Sequence, residues 1–276
     1  MTFKTLMVHL ELDADNSGIL NVTGELANRF AARVIGIAAC QPLPILYDEG
    51  LMATEAVTID RSEISDQLAE TEEEFRKAMS GRARALEWRS LITYESLAGY
   101  IADQARAADL IITGRDLGPS LLDESRRVKV GELAMRAGRP LLLVPKGVSS
   151  LPLRHVFIGW KETRETRRAA ADALPLLKEA GQVTVLEIAG EKERLSAQGR
   201  VEDVAAWLGE HGVSATPQAI AGDGTEAGYL HAELLDRRCD LLVAGAWGHS
   251  RVSEFVFGGV TSDILMDPSF CVLMSH

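Results

Sequence analysis

The sequence has few cysteines and no cysteine motif. Cys40, Cys239 and Cys271 are its three cysteines, and no two of them stand in a CxxC arrangement. An odd number at wide spacing argues against both a disulfide framework and a cysteine zinc site. Two of them lie in apolar, strand-like stretches, so we expect core thiols. The six histidines are also scattered, without an HExxH pair, and no metal site is expected.

The sequence also lacks a dense basic run and a long apolar run. Lys and Arg total 29 against 40 Asp and Glu, which gives a net charge of −11. This balance excludes nucleic acid as an expected partner. No apolar run approaches the length of a membrane span, and the opening residues show no signal-like core. We therefore expect a cytoplasmic protein without a membrane partner.

The two halves of the chain repeat one plan. Strand-like segments at 4–10 and 154–160 each lead into a helical pattern. Later, Ala-Asp-Leu-Ile-Ile-Thr-Gly at 108–114 is mirrored by Cys-Asp-Leu-Leu-Val-Ala-Gly at 239–245. Short continuous apolar runs of this kind are typical of strands buried on both faces of a parallel sheet.

This alternation predicts an α/β fold. We expect two tandem domains, 1–148 and 152–276, each with a five-stranded parallel sheet flanked by helices. Pro175 is expected to kink or break the first helix of the second domain. Ligands of such sheets bind at the carboxyl ends of the strands, where the strand order reverses.

Residues 41–74 form an insertion that the second half lacks. Residues 41–47 read as an extended loop, and residues 61–86 read as a long charged helix. Two interpretations stay open, a packing arm and a cover for a ligand or partner surface.

The segment best suited to bind a ligand follows the strand that ends at Ala244. It reads Gly-Ala-Trp-Gly-His-Ser-Arg-Val-Ser-Glu-Phe-Val-Phe-Gly-Gly-Val-Thr over 245–261. Gly248 allows a tight turn, while Gly258 and Gly259 precede an apparent helix. Free N–H groups at a helix start suit a phosphate. A purely structural turn is the alternative.

These glycines carry a resemblance to a known family. Two residues separate Gly245 from Gly248 and nine separate Gly248 from Gly258, a spacing that resembles the phosphate loop of nucleotide-binding universal stress proteins. Gly-His-Ser-Arg followed by Gly-Gly-Val-Thr is similar to the tandem two-domain bacterial members. The resemblance covers nearly the whole chain. It implies two Rossmann-like, adenine nucleotide α-hydrolase-like domains that form an intrachain pseudo-dimer.

The resemblance also implies a ligand and its contacts. The second domain would bind an adenine nucleotide, typically ATP with magnesium, or a similar small anion. Ile188 matches a position whose backbone holds the adenine or ribose, and Lys161, His249 and Arg251 could meet a phosphate. The nucleotide-binding loop positions would be Gly245, Gly248, Gly258, Gly259, Val260 and Thr261.

Two positions depart from the family pattern. Gly259 stands where the family has Ser or Thr, so a hydroxyl is lost but the backbone donor is kept. Lys161 stands where the family has an Asp that helps to bind the nucleoside. A cation cannot accept the hydrogen bonds that a carboxylate accepts, so Lys161 would meet a phosphate or stay solvated.

The corresponding loop of the first half is degenerate. Three residues separate Gly114 from Gly118, and the next glycine, Gly131, comes twelve residues later. Glu11 occupies the position of the family Asp, and Pro119 stiffens the loop. We expect a structural role for this half and no phosphate site.

A second glycine-rich segment, 222–228, follows an apparent strand. It has one residue too many for the GxGxxG dinucleotide fingerprint, so we interpret it as a helix start capped by Asp223 or Thr225. His249 has no orienting carboxylate or nucleophile that the sequence can place beside it, and no catalytic residue is assigned. Core packing or a pocket wall would explain Trp160, Trp207 and Trp247.

The leading hypothesis is a regulatory, ligand-sensing stress protein, with weak ATPase activity at most because no general base or magnesium carboxylate stands out. One alternative is a scaffold whose site has decayed, which Lys161 and Gly259 favour. Another is a nucleotidyl-transferring enzyme, but His9 lies within a strand instead of following it. The last strand, 270–274, is apolar and could pair as an edge, so a homodimer is also considered.

Overall fold

The chain divides into two compact units that both alternate strands with helices. The first unit is Phe3–Arg139, and the second is Pro140–His276 together with Met1–Thr2. Their architecture confirms the predicted α/β class. The structure is a computed structural model, and it describes residues 2–43, 52–114, 126–222, 226–246 and 270–276.

The first unit contains a parallel sheet in the order β3-β2-β1-β4. Its strands are β1 (Thr5–His9), β2 (Arg33–Cys40), β3 (Leu86–Ile92) and β4 (Leu110–Gly114). Its helices are α1 (Ser17–Phe30), α2 (Met52–Met79), α3 (Leu97–Gln104) and α4 (Val130–Ala137). The apolar runs of β1, β2 and β4 are almost fully buried, as strands covered on both faces should be.

The second unit contains a mostly parallel sheet in the order β5-β10-β9-β6-β7-β8. Its strands are β5 (Leu141–Val144), β6 (His155–Gly159), β7 (Gln182–Ala189), β8 (Ala215–Ala221), β9 (Leu241–Gly245) and β10 (Cys271–Ser275). Its helices are α5 (Arg164–Asp172), α6 (Leu174–Leu177), α7 (Arg194–Glu210) and α8 (Glu226–Asp236).

One strand pair in the second unit is antiparallel. Strand β5, the last strand of the first sequence repeat, pairs with β10, the last strand of the second, and Leu142 faces Leu273 in the register. On its other side β10 pairs with β9. Segment 270–274 is therefore not a free edge for a second chain. The domain limits 1–148 and 152–276 follow the sequence repeat and stay a prediction.

The repeat extends to individual hydrogen bonds. In the first unit, Asp109 Oδ2 accepts from the amides of Lys4 and Thr5 at 2.8 and 2.9 Å. In the second unit, Asp240 Oδ2 accepts from the amides of Arg154 and His155 at 2.7 and 3.0 Å. Asp109 directly precedes β4 and Asp240 directly precedes β9, and each fixes the start of the neighbouring strand, β1 or β6, so the mirrored segments in the sequence are also structural equivalents.

The insertion packs on its own unit. Ile64 and Leu68 of α2 are buried in one cluster with Ala38 and Cys40 of β2, which favours the packing arm. The sequence prediction of a helix over 61–86 was wrong at both ends, because α2 already begins at Met52. Helix α2 stops at Met79, and Gly81 adopts φ +73°, a left-handed conformation that suits glycine and lets the chain turn into β3.

Two smaller expectations are confirmed. Helix α5 stops at Asp172 and a separate turn of helix, α6, begins at Leu174, with Pro175 in its first turn. The three cysteines are buried free thiols. Burial raises the pKa of Cys239 far above its ordinary value, which keeps this thiol protonated and unreactive.

Candidate ligand site at the carboxyl edge of the second unit

The topology of the second unit brings three strand ends to one edge of the sheet. Strand β6 lies between β9 and β7, with Gly159 paired to Ala244 on one side and to Leu186 on the other. The amide of Trp160 extends this ladder by donating to Leu186 O at 2.7 Å. The order of the strands reverses beside β6, which is where open α/β sheets bind ligands.

Gly245, the last residue of β9, is a glycine for reasons of space. A Cβ atom at this position would lie 2.6 Å from the amide nitrogen of Thr166 and 2.8 Å from its Oγ1. The first turn of α5 therefore rests directly on the end of β9. Because close packing alone requires this glycine, the first position of the glycine motif has a structural explanation independent of any ligand.

The equivalent glycine of the first unit has no such neighbour within the described ranges. Around Gly114, at the end of β4, the nearest atom to an added Cβ is Glu11 Oε1 at 3.8 Å. The carboxylate of Glu11 thus lies at the ends of β1 and β4, where the sequence placed the counterpart of the family Asp. The two strand ends are similar in sequence but differ in packing.

Ile188 lies at the same edge as Gly245, at the end of β7. It is half-buried and pairs with Ile220 in the register. A Cβ atom at Gly222, just beyond β8, would lie 2.7 Å from Ile188 Cγ2. Gly222 therefore leaves room for the Ile188 side chain, which forms an apolar wall beside the strand ends.

Lys161 follows β6 and is exposed. Its backbone oxygen accepts from the amide of Thr163 at 2.6 Å, which turns the chain into α5. Among the described residues, no hydrogen bond or ion pair holds its ammonium group. Lys161 is therefore a solvated cation at this edge of the sheet.

The first turn of α5 contributes a buried carboxylate. Thr163 is the N-cap, and its Oγ1 accepts from the amide of Thr166 at 3.3 Å. Glu165, between them, is 1% exposed; its Oε1 accepts from Arg164, and no described residue makes a hydrogen bond with its buried Oε2. A buried oxygen without a partner costs about 1–3 kcal/mol, so it needs an explanation.

Glu165 stays ionised despite its burial. Burial works to raise the pKa of this carboxyl. Hydrogen bonds from Arg164, from its own backbone amide and from Thr163, together with the charge of Arg164, outweigh burial and hold the pKa below its ordinary value. The group is thus a charged acceptor in the helix turn that contacts Gly245.

Sequence reasoning missed Glu165, although a signal was present. Thr163 followed three residues later by Thr166 marks a helix start just after the first strand of the repeat, and such starts favour acidic residues in their first turn. Only the packing of α5 on β9 shows that this acid is buried at the edge of the candidate site.

Most of the glycine loop lies outside the described residues. The structure places Lys161, Ile188 and Gly245 at the ends of three neighbouring strands. Asp223 and Thr225, the two candidate caps, lie outside the described residues too. The other loop positions that lie outside them are Gly248, His249, Arg251, Gly258, Gly259, Val260 and Thr261.

The described part of the chain gives little support for a catalytic role of His9, for a metal site or for a membrane-spanning helix. His9 is 3% exposed, and its Nδ1 lies 3.0 Å from Thr113 Oγ1, so its ring is enclosed in the first unit. Within the described ranges, no group of three or more His, Cys, Asp or Glu could hold a metal ion. The helices described there include none with the length and apolar character of a membrane span.

Solved structures share this fold along the whole chain. A universal stress protein from Archaeoglobus fulgidus DSM 4304 superposes with a TM-score of 0.74 at 12% identity, covering 98% of this chain and 97% of its own. A functionally unknown protein from Pseudomonas aeruginosa PAO1 gives 0.61 at 15% identity, with 98% and 92% covered. No family model and no curated protein matches the sequence. The chain has the fold of a tandem universal stress protein.

Proposed function

We propose that the second unit binds an adenine nucleotide at the carboxyl edge of its sheet and that the protein acts as a ligand-sensing regulator. The observation that carries this proposal is the convergence of Lys161, Ile188 and Gly245 at the point where the strand order reverses. A stress-response role rests on the fold that the chain shares with universal stress proteins.

Three described residues would each contact a different part of the nucleotide. Ile188 offers an apolar surface for a flat base. The unpartnered Oε2 of Glu165 fits a ligand with hydroxyl donors, as ribose has, and could replace the aspartate that Lys161 displaces. Lys161 would face the phosphates, which the backbone amides of the glycine loop would hold.

A ligand-sensing role does not require the protein to hydrolyse the nucleotide or to transfer any part of it. A magnesium ion would arrive with the phosphates of the nucleotide, and no described carboxylate is assigned to it. Binding would act through the glycine loop after β9, and the protein would signal through conformation or association. We assign no catalytic residue.

The test is calorimetric titration of the full chain with ATP and magnesium. Wild type is expected to bind one nucleotide per chain. Gly248→Asp puts a side chain and a negative charge into the loop of the second half and should abolish the heat of binding. Gly118→Asp makes the same change in the degenerate loop of the first half and serves as the control.

Three outcomes would count against the proposal. These are no binding at millimolar ATP, equal binding by Gly248→Asp and wild type, and loss of binding in Gly118→Asp alone. Glu165→Gln refines the test, because it keeps the shape and removes the charge. If Glu165 accepts a hydrogen bond from the ribose, Glu165→Gln should weaken the binding of ATP and of AMP by the same factor, since both carry the same ribose.

A scaffold without a nucleotide site is the second candidate. The exposed Lys161 at the position where an acid would help to bind the nucleoside is the observation that favours it. A scaffold would show neither heat nor a thermal shift with ATP, AMP or inorganic phosphate. It would also be insensitive to the Gly248→Asp change.

A further inference from the structure

A separate cavity lies on the second unit between α5 and α7. Its volume is about 440 Å³, within the range of small-molecule pockets. Ala170 and Val204 contribute to its apolar lining. Ile188, Gly245 and Lys161 are not among its lining residues. The aromatic and charged lining residues are Trp160, Glu162, Arg167, Arg200, Asp203 and Trp207.

The two arginines of this cavity are already neutralised. Arg200 donates to both carboxylate oxygens of Glu187, with Nε 3.1 Å from each, and Glu187 is 7% exposed. Arg167 pairs with Glu162 at 2.8 Å. Because each guanidinium already has a carboxylate partner, neither is a free anchor for an anionic ligand.

The remaining charge in the cavity is negative. Asp203 lines it from α7, and no described residue makes a hydrogen bond or ion pair with its carboxylate. The hydrogen bond from Arg200 to Glu187 raises the pKa of Arg200; burial opposes this, and the charges of Glu187, Glu162 and Glu193 add to the rise. Because Glu187 and Glu162 are paired with Arg200 and Arg167, the uncompensated charge of the cavity lining is the single negative charge of Asp203.

The two tryptophans of the cavity lining supply an aromatic surface that suits a cation. Trp207 is 38% exposed and meets His211 edge to face at 4.6 Å. Trp160 is half-buried, and its indole N–H donates to no described residue, so packing against its neighbours holds its ring. The faces of indole rings attract cations more strongly than those of other aromatic side chains.

We propose that the cavity between α5 and α7 is a second small-molecule site, which takes an organic cation with an aromatic or apolar body. The tryptophans hold the body and the cation, and Asp203 supplies the counter-charge. The site does not depend on the nucleotide proposal, because none of the described residues assigned to the nucleotide (Lys161, Glu165, Ile188 and Gly245) lines the cavity.

The test uses three probes that share one ring and differ in charge. Tyramine carries an ammonium, tyrosol is neutral and 3-(4-hydroxyphenyl)propionate carries a carboxylate. Binding to the full chain is measured by calorimetry and by the indole ¹H–¹⁵N signal of Trp160, assigned with Trp160→Phe. We expect tyramine to bind, tyrosol to bind about 3–10-fold more weakly, and the carboxylate not to bind.

Two neighbouring charge changes on α7 make a matched pair. Asp203→Asn should weaken the binding of tyramine about 3–10-fold and leave the binding of tyrosol unchanged. Glu202→Gln makes the same change at an exposed residue outside the cavity, whose carboxylate accepts from Gln198 at 2.8 Å, and should leave both unchanged. Higher salt should weaken tyramine binding to the parent protein but not to Asp203→Asn.

Several results would overturn the proposal. They are equal or tighter binding of the carboxylate probe, equal effects of Asp203→Asn and Glu202→Gln, and a tyramine-induced change that spares the Trp160 signal. Displacement of tyramine by ATP in the Gly248→Asp variant would show that the cavity is a nucleotide site. Failure of ATP to bind wild type would leave the cation site unaffected, so the two proposals fail separately.

Discussion

Gly245 and Thr166 approach so closely that a Cβ atom on Gly245 would lie 2.6 Å from the amide nitrogen of Thr166. A backbone atom cannot move aside as a side chain can. We therefore expect Gly245→Ala to push α5 away from β9 and to lower the free energy of unfolding by about 2 kcal/mol. Urea denaturation of the purified variant measures this loss.

Gly114→Ala provides the comparison for Gly245→Ala. Among the residues that the structure describes, its added methyl would meet nothing closer than Glu11 Oε1 at 3.8 Å, an ordinary contact. The expected change is below about 0.5 kcal/mol. Equal losses for the two variants would contradict the close packing of α5 on β9. This pair also shows why Gly245 is a poor choice for testing the ligand site, since its replacement disturbs the fold.

Asp109 and Asp240 should contribute equally to stability, because each accepts from two backbone amides at the start of a strand. Replacing either by Ala leaves those amides without their acceptor and should cost about 1–3 kcal/mol. Replacement by Asn keeps one side-chain oxygen and should cost less. A large loss at one position with none at the other would refute the equivalence of the two repeats at these bonds.

The burial of His9 predicts that the free energy of unfolding depends on pH. Burial lowers its pKa from 6.5 to about 4, so the folded state holds the neutral ring. Below pH 6.5 the unfolded chain gains a proton that the folded chain does not. The stabilisation is therefore complete above pH 6.5 and is lost as pH falls toward 4, by roughly 3 kcal/mol in all.

His9→Asn removes this titration and should flatten the dependence of the unfolding free energy between pH 6.5 and 5. Urea denaturation at several pH values measures the slope. A parent protein with no slope in this window would contradict the burial of a neutral His9.

Much of the fold could be predicted because its signals are local and repeated. The continuous apolar runs at 110–114 and 241–245 indicated buried parallel strands, and both halves carried them in the same order. The break at Pro175 followed from the missing amide and fixed φ of proline. These features depend on neighbouring residues and need no knowledge of distant contacts.

The remaining features depend on distant contacts. Nothing in the apolar sequence of 270–274 says that it pairs antiparallel with β5 as well as parallel with β9. The burial of Glu165 arises because α5 rests on the end of β9, many residues away in the chain. The pairing of Arg200 with Glu187, which leaves Asp203 as the free charge of its cavity, is likewise set by packing between elements.

The most direct test of the central claim is photocrosslinking of the full chain with 8-azido-ATP, followed by mapping of the modified peptides. We expect one adduct per chain, in the peptide that holds Ile188 or in peptides from the loop after β9, and protection by unlabelled ATP. Adducts confined to 3–139, adducts at the cavity between α5 and α7, or labelling that excess ATP does not reduce would contradict it.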